Sequence, residues 1–135
     1  MPRYLLDTNI CIYIAKHSPP EVRDRFEGLA SDSIAMSVVT LGELRYGIEK
    51  SNARSKSAAA LEALLAAISV EPITIEVAED YGRIRAESHK AGQPIGGNDL
   101  WIAAHARSQG WVLVTNNERE FKRVKRLKVE NWVGG

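Results

Sequence analysis

The stretch Arg3-Tyr4-Leu5-Leu6-Asp7-Thr8-Asn9 restricts this chain's fold more than any other. Apolar and aromatic residues run unbroken into a carboxylate, and two residues that favour helix starts follow. A run without polar alternation reads as a strand buried on both faces, the kind found in parallel sheets. In open α/β sheets, ligands bind in the crevice beyond the carboxyl ends of the strands. Asp7 stands at that position, so the remaining sequence can be read by asking what converges on it.

Strands and helices are expected to alternate. Residues 33–38, 72–75, 111–115 and 128–132 read as further strands. Residues 10–16 read as a helix capped by Thr8 or Asn9, and 20–29 as one opened by Pro20. More helices are expected over 40–50, 58–68, 76–90, 99–108 and 117–126, with a polar link at 51–57. Gly92 and Gly110 mark helix stops. The alternation predicts an α/β fold, with a parallel or mostly parallel sheet covered on both faces. A length of 135 residues suits one domain spanning 1–135.

A net charge of only +1 confines any affinity for nucleic acid to a local patch. The single cysteine, Cys11, excludes an intramolecular disulfide and fits a reducing compartment. No apolar run is long enough to cross a bilayer and no signal peptide precedes the first strand, so a cytoplasmic protein without membrane association is expected.

The acids fall at strand-to-helix junctions. Asp7 follows the first strand and Glu43 lies in the first turn after the second. Asp99 follows Gly96-Gly97-Asn98, and Glu120 follows the strand at 111–115. In a parallel sheet such junctions share one edge, so four acids from distant parts of the chain can meet. Clustered carboxylates raise one another's pKa, which a divalent cation would relieve. Oxygen ligands without a His or Cys constellation point to Mg²⁺ or Mn²⁺, and the matching chemistry is phosphodiester hydrolysis. A structural alternative stands beside this. Thr40-x-x-Glu43 and Asn117-x-x-Glu120 both fit a capping box, and Asp99 could complement a helix dipole, with Asn98 as cap. Gly42 would allow another backbone to approach Glu43, and the glycine pair before Asp99 would allow a tight backbone around something bound.

Taken together, Leu6-Asp7-Thr8-Asn9-Ile10, Ser37-x-x-Thr40-Leu41-Gly42-Glu43-Leu44, Gly92-x-Pro94-Ile95-Gly96-x-x-Asp99 and Val114-Thr115-Asn116-Asn117-x-Arg119-Glu120-Phe121 resemble the PIN-domain nucleases. The closest resemblance is to the VapC-type toxins of type II toxin–antitoxin pairs. It implies an α/β/α sandwich around about five strands. Asp7, Glu43 and Asp99 would form the metal site and Glu120 would be a further catalytic acid. Thr8, Asn9, Thr115 and Asn117 would orient these acids; Asn117 stands where the family often carries a fourth acid. The resemblance also implies RNA cleavage, with the anticodon stem-loop of initiator tRNA as the candidate target, a homodimer, and a VapB-type antitoxin whose basic side chain enters the acidic pocket.

Arg119, Lys122, Arg123, Lys125 and Arg126 are candidates for gripping RNA phosphates, and Arg83, Arg85, His89 and Lys90 form a second basic stretch. Both could instead be solvated faces. The apolar helix at 58–68 is a candidate docking surface or plain core. Trp101, Trp111 and Trp132 read as core or interface; His17, His89, His105 and Cys11 read as structural or surface residues. Two rival functions remain. A haloacid-dehalogenase-type phosphatase would want an acid where Asn9 stands. A degenerate domain would bind RNA or a partner without cutting.

Overall fold

The computed structural model describes residues 3–134. Its sheet has five strands: β1 (Tyr4–Leu6), β2 (Ile34–Ser37), β3 (Ser69–Glu71), β4 (Val112–Val114) and β5 (Lys128–Glu130). They lie in the order β3-β2-β1-β4-β5, and every neighbouring pair is parallel. Among the described residues the α-helices are α1 (Thr8–Lys16), α2 (Pro20–Glu27), α3 (Val38–Glu49), α4 (Arg54–Ala67), α5 (Ile75–Lys90), α6 (Gly97–Gln109) and α7 (Glu118–Phe121), with one short 3-10 turn at Ser31–Ser33. The expected α/β/α sandwich is present.

Strand alternation sorts the core into two layers. Leu5, Ala35 and Leu113 face α5 and α6, where they meet Val77, Ile84, Ile102 and Ala103. Tyr4, Leu6, Ile34, Met36 and Val114 face the other way, against Ile10 and Ile14 of α1, Val22 of α2 and Leu64 of α4. Leu5, Leu6 and Leu113 are fully buried. Burying each such side chain stabilises the fold by about 1.5–3 kcal/mol. The middle of the sheet is therefore apolar on both faces, and polar chemistry is confined to its ends.

Several local expectations need correction. The third strand is Ser69–Glu71, not 72–75; Thr74 caps α5 by accepting from the Val77 amide at 3.5 Å. This edge strand pairs only with β2 and is not apolar, so its backbone carries it. Helix α4 begins at Arg54, inside the polar stretch expected to be a link. Helix α7 ends at Phe121, well short of residue 126. Gly92 and Gly110 do sit at helix ends with positive φ (69° and 72°), as their lack of a Cβ permits. Among the described residues, no helix is long and apolar enough to cross a membrane.

Candidate functional site

Strand β1 has β2 on one side and β4 on the other, so the connections leave it in opposite directions. The point where they diverge opens a crevice at the carboxyl ends of the strands. Asp7 extends β1 into it, with its amide bonded to the Val114 carbonyl at 2.9 Å. Asp7, rather than Thr8 or Asn9, caps α1, because the strand enters the helix without a loop. Its Oδ1 accepts from the Thr8 amide and its Oδ2 from the Thr115 hydroxyl, each at 2.8 Å. Asn9 is exposed in the first turn of α1.

Glu43 reaches the same place from α3. The cap of that helix is Ser37, whose hydroxyl accepts from the Val39 amide at 3.1 Å. Thr40 is thus inside the helix, buried, with its hydroxyl unpartnered, and the expected capping box with Glu43 does not form. Glu43 Oε1 instead accepts from the Thr8 hydroxyl at 2.9 Å, tying α3 to α1 across 35 residues of sequence. A Cβ on Gly42 would meet nothing within 4 Å, so no neighbouring backbone explains that glycine.

Asp99 and Glu120 complete the group. Gly96, not Asn98, is the cap residue of α6, which puts Asp99 in the first helical turn. Gly96 and Gly97 have room for a Cβ and neither has positive φ, so nothing within the chain demands the pair. Glu120 Oε2 accepts from the Asn117 side-chain amide at 2.9 Å, while its Oε1 lies 3.4 Å from the Gly96 amide. The Asn117 side chain does not cap α7. Its backbone amide donates to the Thr115 hydroxyl at 2.9 Å, so Thr115 links Asn117 to Asp7.

These acids act on one another electrically. Burial pushes the Asp99 carboxyl up to about 7, helped by the charges of Asp7, Glu120 and Glu43 and by a hydrogen bond with Glu120. Burial also raises Asp7, against the hydrogen bonds from Thr115 and Thr8, and Glu43 and Glu120 add to the rise. Every charged group acting on either aspartate is another acid. The crevice is a focus of negative charge without an opposing cation among the described residues.

The donor set is hard oxygen throughout, which fits Mg²⁺ or Mn²⁺ and not zinc. Among the described residues, no three His, Cys, Asp or Glu side chains stand ready to share one ion. The metal-holding group expected of Asp7, Glu43 and Asp99 is therefore not found as a ready cluster among the described residues. Thr8 holds Glu43 and Asn117 holds Glu120. Mg²⁺ usually takes only one or two protein carboxylates and retains waters, so an open cluster suits it.

Two crevice-side groups were not singled out from sequence. The Asn116 side chain donates to the Tyr13 hydroxyl at 3.3 Å and accepts from Asn131 at 3.2 Å, joining α1 to the segments after β4 and β5. The Asn116-Asn117 pair at the β4 junction was the available signal. Arg119 is exposed on α7, Lys122 lies 3.8 Å from Glu118, and Arg123, Lys125 and Arg126 are exposed beyond the helix. Trp111 and Trp132 are buried in the core, whereas Trp101 stacks on Tyr81 at 4.0 Å between α6 and α5. His105 is buried against the Ser37 hydroxyl at 2.8 Å, a structural place.

Residues 4–127 match the PIN domain family. The chain is 45% identical over 133 residues to Ribonuclease VapC2 of Haemophilus influenzae, covering 98% of this chain and 100% of that protein. It is equally identical, over 132 residues, to the tRNA(fMet)-specific endonuclease VapC of Shigella flexneri, covering 98% and 99%. The crystal structure of DNA-bound VapBC from Salmonella typhimurium superposes with a TM-score of 0.92 at 41% identity, covering 98% of this chain and 99% of that one. Fold, junction acids and sequence agree, and the chain belongs to the PIN-domain ribonucleases of VapC type, the toxins of toxin–antitoxin systems.

Proposed function

We propose that this protein is a Mg²⁺-dependent endoribonuclease (Mn²⁺ can substitute) that hydrolyses phosphodiester bonds in a structured RNA. The observation that carries this reading is the uncompensated acid cluster at the switch point, with Asp99 pushed up to about 7 by burial and by Asp7, Glu120 and Glu43. Asp7, Glu43 and Asp99 would hold the cation. When bound, Mg²⁺ lowers the pKa of water and offsets charge on the scissile phosphate.

The chain's own residues supply the orientation. Thr115 and the Thr8 amide fix both Asp7 oxygens, and the Thr8 hydroxyl fixes Glu43. Glu120, held by Asn117 and in hydrogen-bond contact with Asp99, would accept a proton as a water attacks. Asn9, exposed in the first turn of α1, would help to orient the acids. Arg119, Lys122, Arg123, Lys125 and Arg126 would engage RNA phosphates without reading sequence.

The 45% identity to the tRNA(fMet)-specific enzyme of Shigella flexneri supports initiator tRNA as the first substrate to try. The VapBC assembly of Salmonella typhimurium supports a cognate VapB-type antitoxin as inhibitor. A basic side chain from it would offset the same negative charge that the metal does. Its apolar segment has a groove of about 370 Å³ between α1, α2 and α4, lined by Ile14, Phe26, Ala59, Ala63 and Leu64. The toxin itself is expected to be a homodimer.

The test is purified protein on total RNA and on initiator tRNA. Discrete cuts are expected with Mg²⁺, and none with EDTA, with Asp7→Asn or with Asp99→Asn. Cutting that survives all three removes the metal-nuclease reading. RNA binding without cutting in Mg²⁺ or Mn²⁺ makes the domain a binding module.

A further inference from the structure

The two basic stretches of the sequence, about thirty residues apart, meet in space. Lys90 at the end of α5 and Arg123, Lys125 and Arg126 beyond α7 rim one pocket of about 560 Å³. That lies within the roughly 300–1,000 Å³ of small-molecule sites. Ile84, Ile95 and Val124 supply an apolar floor, and Ser88 and Gln93 supply polar groups on the wall. The Ser88 hydroxyl gives its hydrogen to the Ile84 carbonyl, so its lone pairs remain available.

Positive charge outweighs negative at this rim, although Arg126 also acts on the Asp80 carboxylate. Among the described residues, none of the four cations has a carboxylate within 4.0 Å. The only acid lining the pocket, Glu87, faces the buried guanidinium of Arg107 at 3.6 Å. The rim is also held in shape. Arg107 donates to the Lys125 carbonyl at 3.0 Å, so the turn carrying the cations is fastened to α6. Arg126 has a φ of 63°, a conformation for which glycine is the unstrained choice. An arginine there puts a charge on the rim at some cost in strain, which such sites tend to retain where it serves a ligand.

Cations above an apolar floor match a nucleotide, with its phosphate at the rim and its base within. We propose that this pocket seats one unstacked nucleotide of the RNA substrate, away from the scissile phosphate. The site lies next to the crevice: Ile95 lines the pocket while the following amide, Gly96, points to Glu120. Single-stranded loops of folded RNA offer splayed bases; duplex DNA does not. The inference rests on the RNA-cleaving reading, but its test does not depend on cutting.

Binding of a labelled RNA stem-loop to the full chain is measured in EDTA by fluorescence anisotropy over a range of salt. Lys90→Gln combined with Arg126→Gln should weaken binding roughly tenfold and flatten the plot of log affinity against log salt by about 0.7 for each lost phosphate contact. Ala91→Trp removes no charge but fills the pocket, and should also weaken binding. Arg54→Gln with Lys56→Gln on α4 is the control for general charge. Unchanged affinity in the first variant overturns the proposal. So does a loss matched by the α4 control, or a loss in the charge variant with none in Ala91→Trp, which reveals a charged surface only. Free nucleoside 5′-monophosphates binding as tightly as the stem-loop would overturn the assignment to RNA. Thermal melting confirms that each variant is folded. Tight, pocket-dependent binding by a chain that cuts nothing in Mg²⁺ would spare this inference while removing the nuclease reading.

Discussion

Asp7 and Asp80 are both buried aspartates, 6% and 7% exposed, in opposite electrostatic company. Asp80, on α5, receives two hydrogen bonds from Arg107, at 2.7 and 2.8 Å, and this pairing holds its carboxyl below the usual range. Asp7 has two hydrogen-bond donors but no cation, and burial raises its carboxyl. A buried acid with a counter-charge built into the fold is there to hold helices together. A buried acid whose neighbours are more acids is stabilised only by something that arrives from outside. The difference marks Asp80 as scaffold and Asp7 as a candidate for binding something from outside.

Exchanging the two kinds of loss gives the largest effects. Asp7→Asn should reduce Mg²⁺-dependent cleavage on the order of 10²–10⁴-fold, the loss of several kcal/mol of transition-state stabilisation, with the fold intact by circular dichroism. Asp80→Ala should do the reverse. It leaves the Arg107 side chain, 6% exposed, without its main partner and should cost about 3–5 kcal/mol in denaturant unfolding, with Mg²⁺ affinity by calorimetry unaltered.

Titration sharpens the same contrast, with opposite signs. Asp99 is raised to about 7, so its favourable share of stability is complete below about 3.8, the ordinary value, and is lost as pH rises through 7. Asp80 is lowered, so its share is present above 3.8 and disappears as pH falls through its depressed value. The metal-free protein should therefore gain a few degrees in Tm from Asp99→Asn at pH 8 and almost nothing at pH 4. Mg²⁺ must displace the Asp99 proton, so its affinity should climb by up to about tenfold per pH unit below 7 and level off above. A flat profile would separate Asp99 from the cation.

Smaller effects lie with the supporting hydroxyls. Thr115→Val removes the donor to Asp7 and the acceptor for the Asn117 amide, and should cost about 1–3 kcal/mol. Thr40→Val should be neutral or slightly stabilising, because the buried Thr40 hydroxyl has no partner to lose. A marked loss of cleavage in Thr40→Val without loss of stability would show that the hydroxyl serves the crevice.

The buried strands β1, β2 and β4 were legible because each is an apolar run, and parallel strands leave that mark when both faces are covered. Strand β3, Ser-Val-Glu, was not, since an edge strand is held by backbone bonds that any residues can make. The junction acids were legible by position. Their helix caps were misplaced: Asp7, Ser37 and Gly96 take roles read onto Thr8 or Asn9, Thr40 and Asn98. At two of these junctions the strand turns directly into the helix, which moves the cap to the junction residue. The same shift made Glu43 resemble a capping partner, when it bonds to Thr8 from a distant helix. The meeting of Lys90 with Arg126 could not be read in advance, because it depends on how α5 and the turn after α7 pack through Arg107.

The pairing of Leu5 with Leu113 sets the order in which the crevice can be assembled. The centre of the sheet joins an early segment to a late one, and Asp7 must wait for Thr115 before its second oxygen is held. The crevice therefore cannot be completed until the segment after β4 has joined the sheet. Two residues 108 positions apart must meet before Asp7 is held on both sides, so the crevice depends on the whole span between them.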